Sequence, residues 1–386
     1  MLNPQPHINT HEPWIWREFA HQLPLNSPPS GTAARVAWPH TPYQLPSWSP
    51  GEVVATHEAY GSSLRTIGAT NPRIVAMESE LDSSTYSQVF PALPSGPIVE
   101  SIIAERQTTG AEQRMVAVAM ALQARGKIPF AATFADSWTS AHDLIRMATI
   151  EGADIRLIGS HGAAVGDEDG TSEIALEDIA MFRALHDSTV VIPSDANQTA
   201  SLVETVLDRT GVVYLRTLRT ATPVIYQPGE PFPIGGSRTL RSSKHDDVTL
   251  LGAGATVHEA LAAAEVLVRF GIRARVIDLY SVQPLDTATV LDAARQTGHL
   301  IVAEDHWAAG GLGDAALEAL ADADSDARVR RLAVHTRPTS GRPEELLGRT
   351  GIDRSWIAAA ARDLLEQPAH HEGHRRSRRL ALALHR

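Results

Sequence analysis

The sequence contains no cysteine and no long uninterrupted apolar run, and each absence excludes a class of protein. Without cysteine, a chain of 386 residues forms no disulfide, no thiolate metal site and no cysteine nucleophile. No stretch of about 18 apolar residues predicts a membrane-spanning helix. The N-terminus shows no apolar segment typical of a signal peptide. These features together predict a cytoplasmic protein.

Clustered positive charge is also lacking. The chain has 34 Lys and Arg residues against 45 Asp and Glu residues, which gives a formal charge of −11. Because neutralising phosphates requires clustered basic side chains, this balance argues against nucleic acid as a main partner. Apolar residues make up 43% and charged residues 20%, as in ordinary globular proteins, and the length leaves room for two domains.

Short apolar runs recur from residue 51 onward and predict buried strands. They lie at 73–77, 127–134, 155–160, 189–194 and 212–216. The segments between them, such as 112–126 and 176–186, have helical periodicity, and Gly126 marks a helix end. Continuous apolar strands that alternate with helices predict an α/β fold, with a parallel sheet covered on both faces.

A turn-rich interval at 226–247 separates this region from a second α/β unit, which begins with a strand at 248–254. We therefore predict two consecutive three-layer α/β domains, at 51–228 and 229–366. Gly252 and Gly254 lack the third glycine of a dinucleotide-binding loop, so we interpret them as sites of close strand-to-helix packing.

The two ends of the chain differ from the domains. Residues 1–50 hold four of the seven tryptophans without a periodic pattern, and we expect this irregular arm to lie on another surface; the alternative is a leader without fixed structure. Residues 367–386 are basic and rich in histidine. No feature fixes their geometry, so they predict a solvated tail and not a metal site.

Several stretches resemble the transketolase family, specifically its pyrimidine-binding and C-terminal domains. They are "STYSQVF" at 84–90, "AEQRM" at 111–115, "GSHGAAVGDEDG" at 159–170, "ALEDIAMFRAL" at 175–185 and "GAGATVHEALAAAEVL" at 252–267. The resemblance covers roughly 51–365 in order. It implies dependence on thiamine diphosphate and transfer of a two-carbon ketol unit from a ketose or its phosphate to an aldose or its phosphate.

The diphosphate-binding half of that family is missing. Its GDG motif and downstream Asn pair occur nowhere in the chain. The resemblance thus implies the second subunit of a split transketolase, in which a partner chain binds the diphosphate and Mg²⁺. We expect an α2β2 heterotetramer with the active site between subunits, no metal ligand on this chain, and no catalysis by this chain alone.

Two glutamates compete for the role of the acid that the family places at the cofactor's pyrimidine. Counting back from the strand at 127–134 matches Glu112, whereas counting forward from 84–90 matches Glu105. The segment from Thr109 to Glu112 also fits a helix capping box, a purely structural role. Since Gly110 disfavours one continuous helix by roughly 1 kcal/mol, we expect the helix to start near Gly110. We favour Glu112, with Glu105 as the alternative.

Further cofactor contacts carry over by position. Phe134 matches an aromatic residue that packs on the pyrimidine, or it is a core residue at a strand end. Ser137 replaces the next pocket aromatic, and the neighbouring Trp138 is the candidate to fill its place. Glu80 matches an acidic residue near the cofactor, or it is a solvated loop charge.

Substrate contacts also carry over by position. The resemblance implies that His161 and Asp169 bond sugar hydroxyls, with His161 also catalytic, and that Ser84 and Arg219 bind a phosphate. Arg216 is the alternative to Arg219. Two further positions depart from the family. His57 stands where the family has a phosphate-binding arginine, and Glu173 replaces an uncharged or histidine residue. A neutral imidazole binds phosphate more weakly than a guanidinium, so a specialised sugar pathway is a further expectation.

Two other functions remain open from the sequence. The β subunit of a 2-oxo acid dehydrogenase shares the two-domain plan but lacks the pattern at 159–170. A non-catalytic interaction subunit would explain the extra residues near Glu105 and the lost arginine as decay of a site.

Overall fold

A computed structural model describes residues 42–78, 110–162, 174–337, 341 and 343–366. The first half contains β1 (Val53–Ala55), α1 (Thr56–Gly68), β2 (Ile74–Glu78), α2 (Ala111–Ala124), β3 (Ile128–Phe134), α3 (His142–Ile150), β4 (Ile155–Ser160), α4 (Asp178–Arg183), β5 (Thr189–Val191), α5 (Ala196–Thr205), β6 (Val212–Arg216) and β7 (Ala221–Pro223). Short 3-10 helices lie at Asp136–Ala141 and Val206–Asp208. The predicted strands match closely in position.

The second half contains β8 (Arg238–Arg241), β9 (Val248–Gly252), α6 (Ala255–Val268), β10 (Ala274–Asp278), β11 (Ser281–Gln283), α7 (Thr287–Thr297), β12 (His299–Trp307), α8 (Leu312–Asp322), β13 (Arg328–Val334), α9 (Pro343–Thr350) and α10 (Arg354–Glu366). Among the described residues, no helix is both long enough and apolar enough to span a bilayer.

The first sheet has the strand order β11-β5-β6-β4-β3-β2. Its strands pair in parallel except β11, which is antiparallel to β5. Alternate residues of β2 face opposite layers, as strand geometry requires. Ile74 packs in a cluster with α1 and α5, whereas Val75 packs with α2 and α3. This alternation produces three layers.

The second sheet has the order β13-β12-β9-β10-β8, parallel except for the edge strand β8. On one face, Leu250 and Val276 pack with α6 and α10; on the other, Leu251 and Ile277 pack with α7 and α8. The second cluster is continuous with the core of the first sheet around α2 and α3. The prediction of two three-layer α/β units is confirmed, and one apolar core joins them.

Two features tie the units together in ways the strand pattern did not predict. Strand β11 belongs to the second half of the sequence but forms an edge of the first sheet. Gly254, between β9 and α6, has φ +60°, and a Cβ there would lie 2.9 Å from Ile192 of the first unit. The predicted close packing at this glycine is therefore packing between the two units.

The predicted helix at 176–186 forms only as α4, six residues long. Its upstream carbonyls bond elsewhere, because Trp307 N donates to Leu176 O at 3.0 Å and Arg216 Nη2 donates to Ala175 O at 2.7 Å. A carbonyl that accepts a tertiary bond is not available for the first turn of a helix.

Residues 42–50, the described end of the predicted arm, lie against α5. Tyr43 Oη donates to Glu204 Oε1 at 2.7 Å, and Asn197 exchanges bonds with the Trp48 backbone at 2.9 and 3.1 Å. This contact agrees with an arm that lies on a surface. Residues 1–41 and the basic tail at 367–386 fall outside the described residues. The domain bounds at 228 and 366 stay predictions.

Candidate functional site

The carboxyl ends of β2, β3, β4 and β6 lie along one edge of the first sheet, since these strands are parallel. In open α/β sheets this edge is where ligands bind. Phe134 ends β3, and His161 directly follows β4. The register pairs Phe134 with Ser160, so sheet pairing brings these two strand ends together.

His161 lies at the centre of this edge. Its backbone has φ +59°, a left-handed conformation that is uncommon outside glycine and stores strain often found at functional sites. Its Nδ1 is 3.0 Å from Ser160 Oγ, and the Phe134 ring meets it edge-to-face with 4.6 Å between centroids. The structure therefore brings His161 into contact with Phe134, two residues that the sequence analysis had named separately.

His57 lies in the first turn of α1, and its ring lies near that of His161. Its ring is buried, and its centroid is 6.1 Å from that of His161. Its Nδ1 is 3.0 Å from Leu218 O; because a carbonyl only accepts, Nδ1 carries the hydrogen. Burial lowers the pKa of His57, the bond to Leu218 and the Glu58 charge oppose that shift, and Arg219 adds to it. His57 is consequently a neutral imidazole at pH 7.

The two arginines proposed for a phosphate differ in exposure. Arg219 is exposed and acts electrostatically on His57, which places its charge at this edge. Arg216 is buried; its guanidinium donates to Asp305 O and Ala175 O and forms an ion pair with the carboxylate of Asp178. Those contacts are at odds with the alternative of Arg216 as a phosphate ligand, so Arg219 is the candidate.

Glu112 lies in the first turn of α2, which begins at Ala111 after Gly110. Gly110 adopts φ +93°, so the helix starts where the sequence predicted. Glu112 Oε2 accepts from Ser140 Oγ at 3.2 Å. Gly110 is the N-cap residue of this helix, and no side chain forms a capping hydrogen bond there. Within the described residues, Glu112 therefore forms no capping box. The half-buried carboxylate is held beside the 3-10 helix that follows β3.

Trp138 differs from its prediction as a cofactor contact. The side chain is fully buried among core residues, and its Nε1 donates to Ile158 O at 3.0 Å. A ring with no accessible surface cannot contact a cofactor bound at the sheet edge. We correct the prediction and assign Trp138 to the core.

Five predicted site residues lie outside the described residues: Glu80, Ser84, Glu105, Asp169 and Glu173. Their assignments stay predictions. Sequence reasoning missed Ser140 and the Leu218 carbonyl, which orient Glu112 and His57. Both contacts are far apart along the chain, and one uses a backbone atom, so no motif in the sequence signals them.

The described residues at this edge suit the ring half of thiamine diphosphate. An aromatic aminopyrimidine needs a ring to pack on and a carboxyl group to bond a ring nitrogen; half-buried Phe134 and Glu112 offer those groups. Within the described ranges, no group of three or more His, Cys, Asp and Glu residues could hold a metal.

Comparison with known proteins agrees with this architecture. The family model for the transketolase pyrimidine-binding domain matches residues 52–224, and that for the transketolase C-terminal domain matches residues 237–357. Human transketolase is 41% identical over 345 residues, which are 89% of this chain and 53% of the human protein. Mouse transketolase-like protein 2 is 42% identical over 87% of this chain and 53% of its own length.

A solved structure described as a split-gene transketolase, an inactive β4 tetramer, aligns with a TM-score of 0.71 and 32% identity. The alignment covers 81% of this chain and 98% of that one. Transketolase from Campylobacter jejuni shares the fold, with a TM-score of 0.69 over 83% of this chain and 48% of its own. The chain belongs to the transketolase family, whose members depend on thiamine diphosphate, and it spans about half the length of the curated relatives it matches.

Proposed function

We propose that this chain is the pyrimidine-side subunit of a two-chain transketolase that moves a two-carbon ketol unit from a ketose, or its phosphate, to an aldose, or its phosphate. One observation carries the proposal. The chain covers 98% of a split-gene transketolase chain but 53% of full-length relatives, and it has Phe134 and His161 in contact at the sheet edge.

Bound thiamine diphosphate would supply the group that accepts and stabilises the two-carbon unit. The task of this chain is then to hold the ring half of the cofactor. Glu112, oriented by Ser140, would share a proton with a pyrimidine nitrogen, and Phe134 would pack on the ring. Glu105 and Glu80 remain the alternative and additional acidic residues from the sequence.

The same edge would bind the sugars. His161 and Asp169 are proposed to bond sugar hydroxyls, and Arg219 with Ser84 to bind a phosphate. His57 is a neutral ring with Nδ1 as its donor, so its other nitrogen can only accept. Such a ring suits a hydroxyl better than a phosphate oxygen. This supports a donor or acceptor that differs from ordinary sugar phosphates near His57 and Glu173, as expected of a specialised pathway.

A partner chain with the GDG motif is proposed to bind the diphosphate and Mg²⁺, in an α2β2 heterotetramer. The description of the structural neighbour as an inactive tetramer of β chains supports a need for that partner. A cytoplasmic location stays a prediction from the sequence.

The test is ketol transfer by this chain co-expressed with its GDG-bearing partner. We expect Glu112→Gln to lower turnover by about 10²–10⁴-fold, the range of general acid–base catalysis, while the exposed control Glu151→Gln stays near wild type. Loss only in Glu105→Gln would move the acid to that position.

The two rival functions give different results in the same preparation. Release of CO₂ from pyruvate, with no ketol transfer, would indicate the β subunit of a 2-oxo acid dehydrogenase. A complex that neither binds thiamine diphosphate nor transfers a ketol unit would indicate a non-catalytic interaction subunit.

A further inference from the structure

Arg216 is a buried cation at the last position of β6, at the same sheet edge as the candidate site. Its guanidinium has three partners on two segments of the chain, one around α4 and one in β12. Nη1 donates to Asp305 O at 2.8 Å in the second unit, Nη2 donates to Ala175 O at 2.7 Å, and Nε is 3.0 Å from Asp178 Oδ2. A buried arginine held from three directions has little freedom to move.

The partner of this cation is also fixed. Asp178 is fully buried, and its Oδ2 accepts from Tyr214 Oη at 2.6 Å. The Tyr214 ring stacks on Phe182, with 3.9 Å between centroids and 8° between planes. Because burying an ion pair costs desolvation energy, this pair is not in itself evidence of a gain in stability.

The Arg216 side chain packs directly against Gly162, the residue after His161. A Cβ on Gly162 would lie 2.4 Å from Arg216 Nε and 2.7 Å from its Cγ, so only a hydrogen fits there. Gly162 immediately follows His161, whose φ is +59°. A strained conformation of this kind persists only where its surroundings hold it. Arg216 forms part of those surroundings.

We infer that Arg216 is a positioning residue for His161: it supports Gly162 from behind, holds Ala175, and connects both to the second unit through Asp305. The inference rests on the proposed function, in which His161 bonds a sugar hydroxyl. It gives the second unit a part in the site, because the backbone carbonyl of Asp305 orients a guanidinium that contacts the His161 turn.

The test replaces Arg216 by lysine, which keeps the charge but replaces the planar guanidinium fork with a compact ammonium that cannot reproduce its geometry. Arg156→Lys is the matched control. Arg156 is a buried arginine near the start of β4, at the opposite end of the sheet, and it also donates to backbone carbonyls, those of Asp154, Val206, Leu207 and Arg209. Both substitutions should lower the melting temperature.

Two readouts separate positioning from general stability. In the isolated chain, the imidazole NMR signal of His161, assigned by its loss in His161→Gln, should shift in Arg216→Lys and stay in place in Arg156→Lys. In the complex with its partner, only Arg216→Lys should lower kcat/KM, by at least about 10-fold, since small misplacements of reacting groups are costly. Binding of thiamine diphosphate should be unchanged in both.

Gly162→Ala tests the same contact if Arg216→Lys does not fold. Its methyl group would push on the guanidinium, and we expect the same shift of the His161 signal. The inference is overturned if the His161 signal and kcat/KM respond to Arg216→Lys and Gly162→Ala no more than to Arg156→Lys. If the wild-type complex transfers no ketol unit, the proposed function fails, and the NMR signal of the isolated chain still decides the role of Arg216.

Discussion

Two regions of the chain keep polar side chains away from water, and they do so differently. At the junction of the two units, Asp278 accepts from Gln198 Nε2 at 2.9 Å and from Tyr226 Oη at 2.7 Å. Asp195 beside it accepts from the backbone N–H groups of three residues, Gln198, Ile225 and Tyr226, at 2.7–2.8 Å. Donors from distant parts of the chain converge on these two carboxylates.

At the candidate site, by contrast, the rings of His57 and His161 are each held through Nδ1 by an atom of the first unit. They lie beside half-buried Phe134 and exposed Arg219. The two carboxylates at the junction thus accept hydrogen bonds from this chain, whereas the candidate site includes a half-buried ring and an exposed arginine. The difference shows that buried polar residues in this protein serve two purposes, joining the units and presenting a site, and that exposure of the neighbours tells them apart.

The largest expected effect is a loss of stability at the junction. Asp278→Ala leaves the Gln198 amide and the Tyr226 hydroxyl without their acceptor, and an unsatisfied buried donor costs about 1–3 kcal/mol. We expect the free energy of unfolding to fall by about 3 kcal/mol. Chemical denaturation of the isolated chain measures it.

On the proposed function, ketol transfer by the complex per folded molecule should change less than about twofold in Asp278→Ala, because the hydrogen bonds of Asp278 reach none of the candidate site residues. Asp278→Asn is the control, since it keeps an acceptor oxygen in place. A large drop in specific activity with intact folding would show that the two regions are not separate.

The next effect is on activity. On the proposed function, His161→Ala should lower kcat/KM of the complex by about 10²-fold through a lost transition-state hydrogen bond. Stability should also fall, since the buried ring packs on Phe134 and its Nδ1 lies 3.0 Å from Ser160 Oγ, so activity is compared per folded molecule. His299→Ala is the control, because His299 Nδ1 is also bonded locally, at 2.9 Å from Thr297 O, in the second unit. Equal losses in both variants would contradict a special role for His161.

A pH-dependent effect, smaller per pH unit, again concerns the junction. Burial raises the pKa of Asp278 from 3.8 to about 7. Because the folded chain then binds the proton more tightly than the unfolded chain, this contribution to stability is complete below pH 3.8 and is lost as the pH rises through about 7. The slope from this residue approaches ~1.4 kcal/mol per pH unit.

Denaturation of wild type and Asp278→Asn between pH 4 and pH 7.5 measures this slope. The difference between the two proteins isolates Asp278 from other titrating groups, such as Glu304, whose pKa burial also raises to about 7. Parallel pH profiles would mean that Asp278 is ionised throughout and that the junction binds a carboxylate.

The smallest expected effect is that of Trp138→Phe, which tests whether Trp138 belongs to the core or to the cofactor site. Trp138→Phe should cost about 1 kcal/mol of stability, since it removes the bond to Ile158 O and some buried area. Binding of thiamine diphosphate by the complex should stay the same. Trp356→Phe is the control: its indole also donates to a carbonyl, Gly348 O at 3.0 Å, but the side chain is 53% exposed. Weaker cofactor binding only in Trp138→Phe would restore its predicted role.

Much of the fold could be predicted because local pattern and tertiary packing agree. The strands at 155–160 and 212–216 were located to the residue, since each is an apolar run buried on both faces. The start of α2 could be predicted because Gly110 disfavours a helix, and Gly110 is the N-cap residue, with a positive φ. Phe134 and His161 were named separately from family spacing, and the structure shows their rings in contact.

Other features could not be predicted from the sequence. Trp138 was expected to fill a pocket because it neighbours Ser137. The two residues are adjacent on a 3-10 helix, where neighbouring side chains point in different directions, and the side chain of Trp138 is buried in the core. Arg216 looked like Arg219, three positions on, until its carbonyl partners in distant segments were known. Such roles depend on contacts between residues far apart in the chain.

The sequence by itself determined two three-layer α/β units, their order and the side chains offered at the strand ends. It could do so because side-chain periodicity and glycine positions act over a few residues. Only the tertiary structure decided that β11 closes the first sheet, that the Leu218 carbonyl fixes the tautomer of His57, and that Asp305 of the second unit orients Arg216 beneath His161. Backbone carbonyls have the same chemistry in every residue, so their partners are set by three-dimensional packing alone.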